Sequence, residues 1–201
     1  MSEKPRSTAP VPSVDPSAYV APTAVLLGDV RVGAESVILH GAVLNAASGT
    51  ISIGRNSMVM ENAVLRSSDY HDCIVGSYVM IGPHCHLSGC RIEDEVFIAT
   101  GASVFNGAHI KTHSEVRIGG VVHIRTVLEP ESTVPIGWVA VGDPASILPP
   151  DRHEEIWAIQ KPLNFPHTVF GESRDSISPD SLAKRMMRKY SQSLLKQLKS
   201  E

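Results

Sequence analysis

The sequence predicts an all-β fold, a coil of short strands through the body of the chain with α-helices appended at its C-terminal end. Three observations carry this. An aliphatic residue recurs every six positions, a small residue sits four positions after most of them, and aromatics make up only 5% of a chain that is 42% hydrophobic. Such a composition fills a thin, regular interior with Val, Ile, Leu and Ala, which favours a repetitive β architecture over a doubly wound one.

The aliphatic series runs Val20, Leu26, Val32, Ile38, Leu44, then Ile53, Val59, Leu65, then Val75, Ile81, Leu87, and after one five-residue step Ile92, Ile98, Val104, Ile110, Val116. Ala42, Ser57, Ala63, Cys85, Ala102 and Ser114 are among its small partners, and Gly33, Gly54, Gly76 and Gly82 directly follow an aliphatic. Each six-residue unit makes one short strand and one corner, and three units close a triangular coil. The aliphatic side chain points into the prism, and the small one fits at the corner where room is scarce.

Two steps lengthen the count. Nine residues separate Leu44 from Ile53 and ten separate Leu65 from Val75, so NAASGT and SSDYHD read as loops pushed out at corners, where a rigid scaffold tends to carry function. After Val116 the register weakens, resuming with Val134, Trp138 and Val141 before Pro149-Pro150. Asp151–Gln160 then reads as a helix with a capping Asp. Ser178–Lys199 reads as a second, with Ser178 as cap, Pro179 in the first turn, and Leu182, Met186, Tyr190, Leu194 and Leu198 on one stripe. Its Lys184, Arg185, Arg188 and Lys189 form the polar face of a helix packed on the prism flank or on a neighbouring subunit, rather than a membrane-binding face. The chain thus divides into an N-terminal arm over 1–13, rich in Ser and Pro and expected to be disordered, a coil domain over 14–150, and a helical extension over 151–201.

With 18 Lys and Arg against 21 Asp and Glu, the net charge of −3 gives no footing for nucleic acid. Cys73, Cys85 and Cys90 form no CxxC pair and are odd in number, which suits a reducing compartment. MSEKPRSTAPVPS lacks an apolar leader core, and no run approaches the roughly 20 apolar residues of a membrane span. A cytoplasmic protein is expected.

Between Ala18 and Leu148, AYVAPTAVLLGDVRVGAES, GAVLN, IGRNSMVMENAVLR, VMIGPHCHLSGCRIEDEVFIATGASVFNGAHI and VPIGWVAVGDPASIL stand in the order and spacing of one family. The sequence resembles the gamma-class carbonic anhydrase-like family of hexapeptide-repeat proteins. That resemblance implies a left-handed parallel β-helix, a homotrimer, and a metal held between subunits that lowers the pKa of bound water so that hydroxide attacks carbon dioxide. The family's functional positions are changed here. Its Arg and Asp fall on Asn45 and Ala47, its Gln–Asp pair on Met60 and Glu61, and its three metal-binding histidines on Arg66, Pro83 and Ser88. Along one face Asn45, Arg66, Ser88 and Phe105 form a column, and His40, Glu61, Pro83 and Thr100 form another, which meet across the boundary of a family-like trimer.

Two site chemistries follow. His84, His86 and His71, the last beside Asp69 and Asp72, are candidate ligands of a relocated zinc or iron. Arg66 opposes this, because its fixed charge stands where the first ligand would be. Alternatively Arg66, Asn45, Ser88 and Glu61 form a rebuilt, metal-free pocket for a bicarbonate or carboxylate, suited to the forked guanidinium, with a near-neutral histidine as general base. His84 and His86 as plain surface or interface residues, and Arg66 paired with Glu61 of a neighbouring copy, are the simpler alternatives. The function expected is that of a carbonic-anhydrase-like trimer with a rebuilt intersubunit site that hydrates carbon dioxide or binds a small anionic or carbonyl substrate. Acyl transfer from acyl-CoA, with the Gly142–Ala145 turn and His40, His86 or His113 as base, is the second reading, and a non-catalytic assembly module the third.

Overall fold

The computed structural model describes residues 11–68, 70–174 and 176–198. Of the arm expected over 1–13, residues 1–10 lie outside the described residues, and Ser13–Val14 pairs in parallel with Arg31–Val32. The body is the expected left-handed parallel β-helix. Its first face is a seven-stranded sheet of two-residue strands, Tyr19–Val20 at one end and Thr133–Val134 at the other. The other two faces merge into one 13-stranded sheet, because Val25–Val32 and Val43–Ile53 turn a corner without a break. Among the described strands all pairings are parallel except the last, Val139–Val141 against Ser146–Leu148.

The six-residue aliphatics are the core. Ile38, Leu44, Val59, Leu65, Ile81, Leu87, Ile98 and Ile110 are all fully buried. At the corners buried hydroxyls replace missing strand hydrogen bonds. Ser36 Oγ donates to Gly54 O (2.7 Å) and accepts from Ser57 N (3.1 Å), while Ser57 Oγ donates to Gly76 O (2.9 Å) and accepts from Val79 N (3.0 Å). The glycines next to this ladder let successive rungs touch. A Cβ at Gly54 would lie 2.5 Å from the Gly76 carbonyl carbon and oxygen. Gly54→Ala therefore forces backbone apart and is expected to cost about 1–3 kcal/mol, read as a lowered denaturation midpoint; an unchanged midpoint would contradict the close approach.

Several sequence expectations are corrected. The repeat does not weaken after Val116: Val122, Leu128, Val134 and Ala140 continue it at six-residue steps and are fully buried. Trp138 and Val141 do not set this register; Trp138 packs half-buried against the end of the core. NAASGT is not a free loop but part of the strand Val43–Ile53. Gly28 pairs with Ala46 and Asp29 with Thr50, so the extra residues at 47–49 bulge out of a continuous ladder. The second insertion stays outside the strands: Ser68 and His71 exchange backbone hydrogen bonds (2.9 and 3.3 Å), and Asp72 Oδ1 ties it to the bulge by accepting from Thr50 N (2.8 Å). Both expected helix caps also shift. The first helix, α1 (His153–Gln160), begins after Arg152 with no side-chain cap, so Asp151 does not serve.

A short helix that the sequence reading did not separate, α2 (Phe165–Phe170), follows a single 3-10 turn. The last helix, α3 (Leu182–Leu198), is capped by Ser181, whose Oγ accepts from Lys184 N (3.3 Å), while Ser178 Oγ only turns the chain at Asp180. Helix α1 rests on Val139–Val141, with Ile159 against Gly142. Arg185 of α3 pins the α2–α3 connection: its Nε reaches Glu172 Oε2 (3.1 Å), and its terminal nitrogens donate to Asp180 O (2.8 Å) and Ser173 O (2.7 Å). Along the expected apolar stripe Leu182, Met186 and Leu194 are half-buried; α3 packs against α2, and its Tyr190 and Leu194 line a cleft over the coil. The side chain of Leu198, like Lys199 and Asp69, lies outside the described residues.

Candidate functional site

On the face that carries Val64–Arg66 and His86–Ser88, the inward residues are Leu44, Leu65, Leu87 and Val104, so their immediate neighbours point out. Register places Asn45 beside Arg66 and Arg66 beside Ser88, at the strand spacing of about 4.8 Å. His86 lies on the same outward face as Ser88, two residues earlier, with its ring 6.0 Å from that of Phe105. These side chains floor a cleft of about 290 Å³, roofed by Phe165, Val169 and Phe170 of α2 and by Tyr190 and Leu194 of α3. Phe165, Phe170 and Tyr190 stack edge to face, each step 5.7 Å.

The electrostatics are simple. Arg66 is half-buried and has no ion-pair partner among the described residues, and no carboxylate among them lines the cleft. His86 has a pKa below its ordinary value because burial disfavours the imidazolium and the Arg66 charge repels it. His71 and His123 are lowered too, by burial and, for His71, by Arg125. A histidine with a depressed folded pKa stays neutral while the unfolded chain takes up its proton. Stability is therefore full above about pH 6.5 and declines as pH falls through and below that value. In an NMR titration His86 is expected to titrate below 6.5, and Arg66→Gln to raise its midpoint without restoring it fully, since burial remains. A midpoint that ignores Arg66 would contradict their proximity.

Of the residues singled out in the sequence, Arg66, Asn45, Ser88 and His86 come together here. Glu61 does not line the cleft of its own chain; it sits at a corner, where its carbonyl accepts from His84 N (3.0 Å). His84 is exposed, in the left-handed region at φ 58°. His71 packs elsewhere, against Gly89 and Gly107, with Nε2 3.1 Å from where a Cβ of Gly107 would stand. Asp72 is spent on Thr50 N. Among the described residues no three His, Cys, Asp or Glu side chains gather closely enough to hold a metal. Zinc and iron need three or four converging donors, so the described residues of one chain do not fit such an ion: among them the cleft supplies one imidazole beside a fixed cation. Of the bases considered for acyl transfer, His40 is engaged with Thr23 Oγ1 (2.8 Å) and His113 with Glu95 (3.3 Å), both away from the cleft, which leaves His86.

The roof was the part missed. The available signal was compositional: two of only four phenylalanines, Phe165 and Phe170, stand close together outside the six-residue repeat, and the structure sets both over the cleft. The three cysteines are free and buried, and burial pushes the Cys85 thiol up. Among the described residues no helix is long and apolar enough to cross a membrane.

Over 175 residues, 84% of this chain, the sequence is 33% identical to "Gamma carbonic anhydrase 1, mitochondrial" of Arabidopsis thaliana. The chain belongs to the gamma-class carbonic anhydrase-like family of hexapeptide-repeat proteins. The alignment to this gamma-class relative spans 62% of its length, less than two thirds. Gamma carbonic anhydrase 2 of the same plant is 28% identical over 89% of this chain and 66% of its own. A probable carbonic anhydrase of Methanocaldococcus jannaschii is 35% identical over 42% of this chain and 54% of its own. Among solved structures, a hexapeptide transferase family protein from Anaplasma phagocytophilum aligns over 90% of this chain and 92% of its own, at 24% identity and a TM-score of 0.40. No protein-family model matches.

Proposed function

We propose that this gamma-class carbonic anhydrase-like protein binds a small carboxylate or bicarbonate anion without a metal, in the cleft floored by Asn45, Arg66 and Ser88. Arg66 supplies the charge and a two-pronged donor, Asn45 and Ser88 supply neutral hydrogen-bonding groups on either side, and neutral His86 is a hydrogen-bonding partner and proton acceptor. The observation that carries this reading is Arg66 itself, half-buried in a cleft with no carboxylate among the described residues to neutralise it. Half-burial of a cation that no described carboxylate pairs has a desolvation cost that a bound anion offsets.

Hydration of carbon dioxide by the family's route needs a metal-activated water. With Arg66, Pro83 and Ser88 at the family's three histidine positions, we assign binding rather than that reaction. We further propose a homotrimer, which would cover exposed apolar side chains such as Ile118 and Ile136. Sedimentation at a single-chain mass would refute it. Three free thiols support a reducing compartment, which we take to be the cytoplasm; both Arabidopsis relatives are named as mitochondrial. Calorimetric titration with acetate and with bicarbonate tests the central assignment. Saturable binding of either at neutral pH is expected, and no binding of either would overturn it.

A further inference from the structure

The cleft is larger and more apolar than a bare inorganic anion requires. At about 30 Å³ for each water-sized group, 290 Å³ holds roughly ten such groups, and bicarbonate would occupy less than half of it. The surplus volume lies under a specific surface. Phe165, Phe170 and Tyr190 form a continuous edge-to-face row, Val169 and Leu194 lie beside it, and Phe105 continues the floor past Ser88. The guanidinium and most of the small polar side chains are on the strand side, together with the ring of Phe105, whereas the helices contribute aromatic and aliphatic groups apart from Ser193. A site with one charged anchor and an apolar remainder selects an amphipathic ligand.

The α2–α3 arch is also held in place. Arg185 secures it with one carboxylate and two carbonyls, and Lys189 reaches Gly171 O (3.2 Å) just after α2. Gly171 closes α2 at φ 64°, a conformation other residues adopt with strain, so the turn that aims Phe170 and Val169 down at the strands is fixed by sequence.

From this geometry we infer that the natural ligand is a monocarboxylic acid with an apolar alkyl or aryl body, its carboxylate on Arg66 and its body under the row formed by Phe165, Phe170 and Tyr190. The inference rests on the anion-binding reading above and adds the ligand's other half. Charge complementarity favours this occupant over a second copy of the chain, since an apolar segment of a neighbour would leave Arg66 without a counter-charge.

A chain-length series on the full-length protein tests it. Calorimetry with acetate, butanoate, hexanoate and octanoate, with hexanol as the uncharged control, is expected to show affinity rising roughly twofold to fourfold per methylene until the cleft is full. Hexanol should bind far more weakly than hexanoate, and Phe170→Ala should shrink the hexanoate-to-acetate ratio. The wild-type series stands even if that variant does not fold. Binding that is lost in Arg66→Gln but flat with chain length would overturn this inference and leave the anion reading intact. No Arg66-dependent binding of any carboxylate would overturn both. Hexanol matching hexanoate would reduce the cleft to unspecific apolar adhesion and overturn the inference. Hexanoate affinity that falls as protein concentration rises would identify a second copy as the occupant, with the same consequence.

Discussion

Leu87→Ala is expected to destabilise the protein by about 2–5 kcal/mol, read as a lowered midpoint in chemical denaturation. Leu87 is fully buried, and its backbone stands between His86 and Ser88, so it is the inward counterpart of two cleft residues. In a coil only one side chain deep from each face, Leu65 below and Val104 above fill their own rungs and cannot move into the gap, because each strand is held to its neighbours by parallel hydrogen bonds. The loss should therefore lie toward the upper end of the range. Val25→Ala on the same face but half exposed should change stability by no more than about 0.5 kcal/mol. Equal effects at the two positions would contradict a core built on the six-residue period.

The second large effect is on binding. Arg66→Gln keeps a hydrogen-bonding side chain of similar reach but removes the charge and the paired donors. Hydrogen bonds to charged groups contribute about 1.5–3 kcal/mol, so acetate affinity is expected to fall by roughly tenfold to a hundredfold or more. Folding should be preserved, since Arg66 makes no ion pair among the described residues. Arg66→Lys keeps the charge without the fork and should fall between the two. If the Gln variant binds acetate as the wild type does, Arg66 is not the anchor.

Most of the coil was legible in the sequence because its rule is strict. A six-residue period with an aliphatic inside is a statement about geometry, and every member from Ile38 to Val116 went where the period put it. The later rungs obey the same rule, but Trp138 and Val141 stand off its six-residue steps and mask the inward series Val122, Leu128 and Ala140. The bulge at 47–49 could not be told from a loop, since both lengthen the count between Leu44 and Ile53 and only strand pairing separates them. In the candidate site, Asn45, Arg66 and Ser88 were foreseen as a column because parallel register in a coil follows from the same arithmetic. Convergence of His84, His86 and His71 was not readable, because it depends on corner conformations: a left-handed residue sends His84 outward, and the turn closed by Ser68 sends His71 toward Gly107. The roof depended on a helix of six residues, α2, too short to give a periodic signal.

The most direct test of a metal-free Arg66 site is elemental analysis of untagged protein purified anaerobically without chelators, followed by acetate titration before and after dialysis against EDTA. The account predicts no stoichiometric zinc, iron or cobalt, and acetate affinity that dialysis leaves unchanged. Close to one metal per chain, with acetate binding lost on its removal and restored on its return, would contradict it and place the anion on a metal instead of on Arg66.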